Sequence, residues 1–224
     1  MFIGHAAAGF ASKRLAPRAS LAWLLAAPWL LDLLWPVFLL TGVERVRIDP
    51  GNTAVTPLDF VSYPWSHSLV MALVWSALFG AAYRRLTRDS RGAWIVGALV
   101  ASHWVLDLVV HRADLPLVPG LPLKVGLGLW NSVVGTLAVE GGLFTLGLAI
   151  YLWATRARDL QGTIGLWALV VFLLGMYAAN LGGPPPPNSS AIAWVTLAFG
   201  ALLVPWAMWI ERHRVGRSPR EGAA

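Results

Sequence analysis

The sequence predicts an all-α, polytopic membrane protein with six transmembrane helices, an N-terminal half-length helix and both termini in the cytoplasm. Of its 224 residues, 57% are hydrophobic and only 12% are charged, whereas soluble domains carry about 25% charged residues. So few charges cannot cover a water-facing surface, which excludes a disordered chain and a soluble nucleic-acid-binding protein. The chain has no cysteine, which excludes disulfides, cysteine-ligated zinc, iron–sulfur clusters and thiol catalysis.

The first element is a short apolar segment, Phe2–Ala11, followed by basic residues. A cleaved signal peptide has its basic residues in front, so this segment is expected to remain as a half-length helix. Six later stretches satisfy the length of about 20 apolar residues that a bilayer requires. They are Leu21–Gly42, Pro64–Tyr83, Gly92–Val110, Leu129–Trp153, Gly162–Leu181 and Ala191–Ile210. Residues 1–210 are therefore expected to form one transmembrane domain, followed by a basic cytoplasmic tail at 211–224.

The basic residues support this division into spans. Of the 17 lysines and arginines, 13 fall on one side of six spans, and the net charge is +6. Positive residues concentrate on the cytoplasmic side of membrane proteins, so both termini are expected to lie in the cytoplasm. The basic net charge is then explained by membrane orientation rather than by a nucleic-acid partner. The 13 residues are Lys13, Arg14, Arg18, Arg84, Arg85, Arg88, Arg91, Arg156, Arg158, Arg212, Arg214, Arg217 and Arg220.

Several ionisable residues lie where hydrocarbon is expected, and such residues usually mark a functional site. His103, Asp107 and His111 follow one another at intervals of four residues on the third span, so they share one helix face. Two ligands one turn apart can reach the same metal ion. A histidine–aspartate set without cysteine suits zinc above all, with manganese or iron as alternatives.

Other helices contribute polar residues at a similar depth: His5, Asp32, His67 and Glu140. At about 1.5 Å per residue, Asp32 and His103 both lie roughly 16 Å from the cytoplasmic end of their helices. The sequence therefore predicts a metal site between the bilayer centre and its outer face, with His5, Asp32, His67, His103, Asp107 and His111 as ligands. Glu140 and Asp32 are the candidate catalytic carboxylates. Asp49, Asp59 and Asp114 lie in outer loops and are expected to be solvated.

The order of these motifs resembles a bacterial family of membrane-bound metal-dependent hydrolases. Over residues 1–115, the chain has the family's early Gly-His at Gly4-His5, an Asp at 32, a Ser-His-Ser at 66–68 and a His-x-x-x-Asp at 103–107. The resemblance implies a hydrolase in the bacterial inner membrane.

Two departures from the family pattern bear on the chemistry. The Pro-Asp-x-Asp element is here Leu31-Asp32-Leu33-Leu34, without its second carboxylate, which His111 or Glu140 can replace. The Arg-Gly-x-Thr-His-Ser element is Tyr63-Pro64-Trp65-Ser66-His67-Ser68, which lacks the arginine that could hold a phosphate. Metal binding tolerates these losses better than phosphoester chemistry does.

Three functions are compatible with these residues. The first is a metal-dependent hydrolase acting on a membrane lipid or a lipid-linked (phospho)ester, with metal-activated water as the nucleophile. The second is a transporter or proton relay, in which buried Asp, Glu and His residues line the pathway. The third is a structural or assembly subunit, in which the polar residues only fix the pairing of helices.

Overall fold

A computed structural model describes residues 1–217, and two thirds of the chain (66%) is helical. Within those residues, five helices are long and apolar enough to cross a membrane. These helices are α5 (Leu69–Thr87), α6 (Ser90–Val110), α7 (Val133–Ala154), α8 (Leu160–Gly182) and α9 (Ser189–Arg212). The four shorter helices are α1 (Ile3–Ser12), α2 (Leu21–Ala26), α3 (Leu30–Leu40) and α4 (Pro64–His67). A single turn of 3₁₀ helix, Leu129–Asn131, precedes α7.

The first predicted span differs from the prediction, because Leu21–Gly42 is divided into α2 and α3 rather than forming one helix. The break falls at Ala27–Trp29 and contains Pro28. Proline has no N–H group for the helical ladder, and its ring clashes with the preceding turn. Each of the other five predicted spans overlaps one of the long apolar helices. The second, Pro64–Tyr83, is also divided, because Ser68 adopts an extended backbone between α4 and α5. The fourth, Leu129–Trp153, begins with the separate 3₁₀ turn.

The short helix α1 matches the predicted half-length helix to within one residue at each end. It is almost fully buried and packs closely against α7 and α2. A Cβ atom added at Gly147 of α7 would lie 2.4 Å from the carbonyl oxygen of Ala7, and one added at Gly9 would lie 2.6 Å from that of Leu24. Small residues therefore allow the backbones to approach, as they do in membrane helix pairs.

Three short antiparallel strand pairs, which the sequence analysis did not predict, lie between the helices. Strands of two to five residues are too short to leave a periodic pattern in a sequence. Two pairs are hairpins: β1 (Arg45–Ile48) with β2 (Leu58–Ser62), and β3 (Leu115–Pro116) with β4 (Lys124–Val125). The third joins β5 (Thr155–Ala157), after α7, to β6 (Arg214–Gly216), after α9.

The basic segments meet at one end of the molecule. Lys13 lies 2.6 Å from the carboxylate of Glu211, and Arg14 lies over the ring of Trp153. The first residues of the predicted tail belong to the fold, because α9 continues to Arg212 and β6 pairs with β5. The remainder of that tail, 218–224 with Arg220, lies outside the described residues.

Candidate metal centre

Five of the predicted ligands meet in one cluster around the carboxylate of Asp107. His5 comes from α1, Asp32 from α3, His67 from α4, and His103 and Asp107 from α6. The Nε2 atom of His103 lies 2.9 Å from Asp107 Oδ2, and that of His5 lies 3.2 Å from Asp107 Oδ1. His67 Nε2 lies 3.4 Å from Asp32 Oδ1 and 4.0 Å from Asp107 Oδ2. Four separate helices thus place ligand atoms at one point.

The ligand atoms form two overlapping groups that could hold a metal ion. One group is His5, His103 and Asp107, and the other is Asp32, His67 and His103. A histidine nitrogen and a carboxylate oxygen that bind the same zinc ion lie at most about 4.2 Å apart, because each bond to zinc is about 2.1 Å long. Four nitrogen–oxygen distances of 2.9 to 4.0 Å in the cluster lie within that limit. The donor set and its spacing therefore fit one or two divalent cations.

The break in the first span orients His103. The carbonyl oxygen of Pro28 accepts a 2.7 Å hydrogen bond from His103 Nδ1. A carbonyl oxygen can only accept, so Nδ1 carries the proton and Nε2 presents its lone pair to the cluster. His103 Nε2 has no hydrogen-bond partner among the described residues. Metal-ligating histidines usually make such a hydrogen bond through the ring nitrogen that does not bind the metal, and it fixes the orientation of the ring.

A chain of three side chains orients His67 in the same way. Ser66 Oγ donates to Glu44 Oε2 at 2.6 Å and lies 2.7 Å from His67 Nδ1. Because the single hydroxyl proton is directed to the carboxylate, Ser66 Oγ must accept the proton of Nδ1. Glu44 is itself fixed by the backbone N–H groups of Trp65 and Ser66, at 2.7 and 2.8 Å. His67 Nε2 is therefore free to act as a ligand.

His111 is also oriented by a hydrogen bond at Nδ1, but it belongs to neither of the two ligand groups. Its Nδ1 lies 3.0 Å from Asp114 Oδ1, and its Nε2 lies 3.7 Å from Asp107 Oδ2. Tyr63 also donates to Asp114, and burial together with that carboxylate raises the pKa of the Tyr63 phenol well above its usual range. The phenol thus remains a donor.

His5 differs from the other histidines because neither ring nitrogen makes a well-aligned hydrogen bond with the described residues, although Nε2 lies 3.2 Å from Asp107 Oδ1. Its ring is stacked on that of His103, with centroids 4.0 Å apart and planes inclined by 7°. An unpartnered, fully buried imidazole is costly. A bound cation at Nε2 would satisfy it.

Glu140, a predicted catalytic carboxylate, lies beside the cluster and holds the start of α1. Its Oε2 atom accepts hydrogen bonds from the backbone N–H groups of Phe2 and Gly4, at 2.8 and 3.3 Å. Oε1 takes part in no hydrogen bond with the described residues. The α-ammonium group of Met1 lies 2.5 Å from Asp107 Oδ1. A catalytic role for Glu140 stays a prediction.

A cavity of about 440 Å³ opens onto the cluster, a volume within the usual range for small-molecule sites. Five polar side chains of the site form its floor, and only Asp32 among the ligands is appreciably accessible, at 31%. The floor residues are Asp32, His67, Asp107, His111 and Glu140. Apolar side chains of α3, α8 and α9, of the β1–β2 hairpin and of the loop between α8 and α9 line its walls.

Sequence reasoning missed the residues that orient the histidines. Asp59 and Asp114 were expected to be solvated, but both are buried: Asp114 contacts His111, and Arg112 bridges the two carboxylates. The spacing of Asp114, three residues after His111, could have indicated this contact. Nothing in the sequence connects Glu44 to His67, because a loop and a hairpin separate them.

Comparison with protein-family models, with curated proteins and with solved structures finds no match to this chain.

Proposed function

We propose that the chain is a metal-dependent hydrolase embedded in a membrane, acting on a lipid or lipid-linked ester. The observation that carries this proposal is the convergence of histidine Nε2 atoms on the Asp107 carboxylate at the floor of an apolar cavity. Polar groups in a largely apolar pocket are typical of sites that orient a hydrophobic ligand for chemistry.

The proposed role of each residue follows from its position in the site. His5, Asp32, His67, His103 and Asp107 would hold the metal, with His111 beside them. A divalent cation in such a site lowers the pKa of a bound water towards neutrality and polarises the bond to be cleaved. Glu140, with Oε1 free of hydrogen bonds, is the candidate to accept a proton from water, and the apolar walls would exclude bulk solvent. Asp32 is the second candidate for the proton.

Orientation in the membrane is part of the proposal. The clustered basic residues would face the cytoplasm, so the metal site would lie in the outer half of a bacterial inner membrane. A lipid would then enter from the outer leaflet, between α3 and the outer ends of α8 and α9.

The metal content of purified protein tests the proposal. We expect close to one or two equivalents of zinc, manganese or iron by elemental mass spectrometry, and loss of that metal in His103→Ala and Asp107→Ala. The matched control is His213→Ala, because His213 is the one histidine of the sequence outside the predicted ligand set and is bound to Asp159 at the basic end. Protein that retains no metal after reconstitution with each ion would overturn the proposal.

A further inference from the structure

The walls of the cavity carry no basic side chain. Among the described residues that line it, none is lysine or arginine. The α-ammonium group of Met1 lies at the cavity but is paired with Asp107. The nearby guanidinium groups at the outer end are also paired: Arg47 with Asp59, and Arg112 with Asp59 and Asp114. Phosphoryl groups are usually held by free arginine or lysine, and the cavity offers none.

Helix N-termini are the other common phosphate-binding groups, and three of those beside the cavity already bind side chains of the protein. Glu140 accepts hydrogen bonds from the N–H groups of Phe2 and Gly4 at the start of α1. Glu44 accepts those of Trp65 and Ser66 at the start of α4, and the side chain of Asn188 accepts that of Ala191 at the start of α9. These backbone donors are therefore not available to an anion.

The floor is itself acidic. Asp32, Asp107 and Glu140 all line the cavity, and the α-ammonium group of Met1 offsets one of the three negative charges. A single divalent cation would balance the other two, so no positive charge would be left to compensate a phosphate group. The phosphate would then lie beside carboxylates in a water-poor site, where like charges repel strongly. An uncharged reacting group avoids this repulsion.

We propose that the substrate is an uncharged lipid and that the cleaved bond is its carboxylic ester, not a phosphoester. This inference rests on the proposed function and specifies its substrate. The acyl chain would lie along the apolar wall formed by residues such as Leu33, Met176, Val195 and Phe199.

The reaction is a balanced hydrolysis. The oxygen of water adds to the acyl carbon, and the ester C–O bond breaks. The proton that water loses passes to Glu140 Oε1 and then to the departing alkoxide. The products are a fatty acid and an alcohol, and no oxidant, reductant or further reactant is needed.

A matched pair of lipids tests the assignment with the full, metal-loaded chain. Monooleoylglycerol and monooleoylglycerol phosphate carry the same acyl ester, and only the second carries a phosphate. We expect oleate release from the uncharged lipid at least about tenfold faster, because the phosphate is repelled, and no release of inorganic phosphate. Binding of both lipids to the chelator-treated, metal-free chain, measured by tryptophan fluorescence, keeps all three carboxylates and provides a readout that does not need turnover.

A charge variant shows whether the cavity itself makes the selection. Asn180 is exposed at the outer end of α8 and lines the cavity, so Asn180→Arg should remove most of the tenfold preference. Leu121→Arg places the same charge in the outer β3–β4 loop, away from the cavity, and should leave the preference unchanged.

The outcomes separate the two proposals. Release of inorganic phosphate overturns the ester assignment, and equal rates of oleate release from the two lipids overturn the preference for an uncharged substrate. Either result leaves a hydrolase in place. Absence of any product from protein that holds its metal overturns the hydrolase function itself, and the ester assignment with it.

Discussion

At the scale of single residues, three histidines are oriented in the same way. His67, His103 and His111 each direct Nδ1 to an acceptor outside the cluster, so each presents Nε2 to Asp107. The acceptors differ in kind: a serine hydroxyl, a backbone carbonyl and a carboxylate. Because the tautomer and the ring angle are already fixed, these histidines lose less conformational entropy when a metal ion binds.

The contact between Ser66 and His67 can be tested alone. In Ser66→Ala, His67 Nδ1 loses its acceptor, so metal affinity should fall about 10- to 100-fold, the usual effect of removing such a partner. Competitive titration with a chromophoric chelator measures this change. Ser102→Ala is the control, because Ser102 adjoins His103 in sequence but its hydroxyl bonds only to the Leu99 carbonyl. Equal affinities in the two variants would contradict the assigned role of Ser66.

Much of the site could be predicted from residue types alone. The four-residue spacing of His103 and Asp107 identifies one helix face, and the high cost of charge in hydrocarbon identifies Asp32. Asp114 and Glu44 could not be assigned, because an acidic residue in an outer loop is usually solvated. Their burial depends on contacts made by the folded loops, which leave no local pattern.

At the scale of elements, the position of His5 depends on how closely α1 packs against α7. Gly147 makes this approach possible, since a Cβ there would lie 2.4 Å from the Ala7 carbonyl oxygen. We expect Gly147→Ala to displace α1, lower the melting temperature and weaken metal binding.

Gly142 provides the matched control on the same helix, because nothing lies within 4 Å of a Cβ added there. Alanine is favoured over glycine in a helix interior by about 1 kcal/mol, so Gly142→Ala should leave the melting temperature unchanged or raise it. A loss of metal binding in Gly142→Ala, or none in Gly147→Ala, would show that α1 is not positioned in this way.

The break between α2 and α3 shows the limit of hydropathy as a guide to elements. Leu21–Gly42 is long enough and apolar enough for one helix, and this is what its composition predicts. Pro28 alone does not specify a break, since membrane helices often contain proline; α3 itself continues through Pro36. The difference is that the Pro28 carbonyl gains a buried partner in His103, a contact that only the tertiary structure supplies.

At the scale of the whole molecule, the cluster joins four helices that are otherwise held by packing. A metal ion that binds only the native state raises the free energy of unfolding by about 2.7 kcal/mol when the free metal concentration is about 100 times Kd. Removing the metal with a chelator should therefore lower the melting temperature, and adding it back should restore the original value. The Asp107→Asn variant should not respond to either treatment. A melting temperature that is insensitive to chelation in the unmodified protein would contradict a site that links the helices.

The opposite end is held by Arg214, which is buried and donates to Thr155 Oγ1 and the Gly162 carbonyl oxygen. In Arg214→Ala these acceptors lose their partner, which should destabilise the fold by about 1–3 kcal/mol. Metal affinity should not change, because the site is at the other end of the bundle. Thermal unfolding measures the effect, with the exposed Arg212→Ala as control. Equal melting temperatures for the two variants would argue against a structural role for β6.

The acidic floor of the cavity also bears on turnover. Under the proposed function, a fatty acid released there would become an anion beside Asp32 and Glu140, with no free lysine or arginine side chain among the described lining residues to retain it. The site would then bind its product less well than the uncharged precursor. Oleate should consequently be a poor inhibitor.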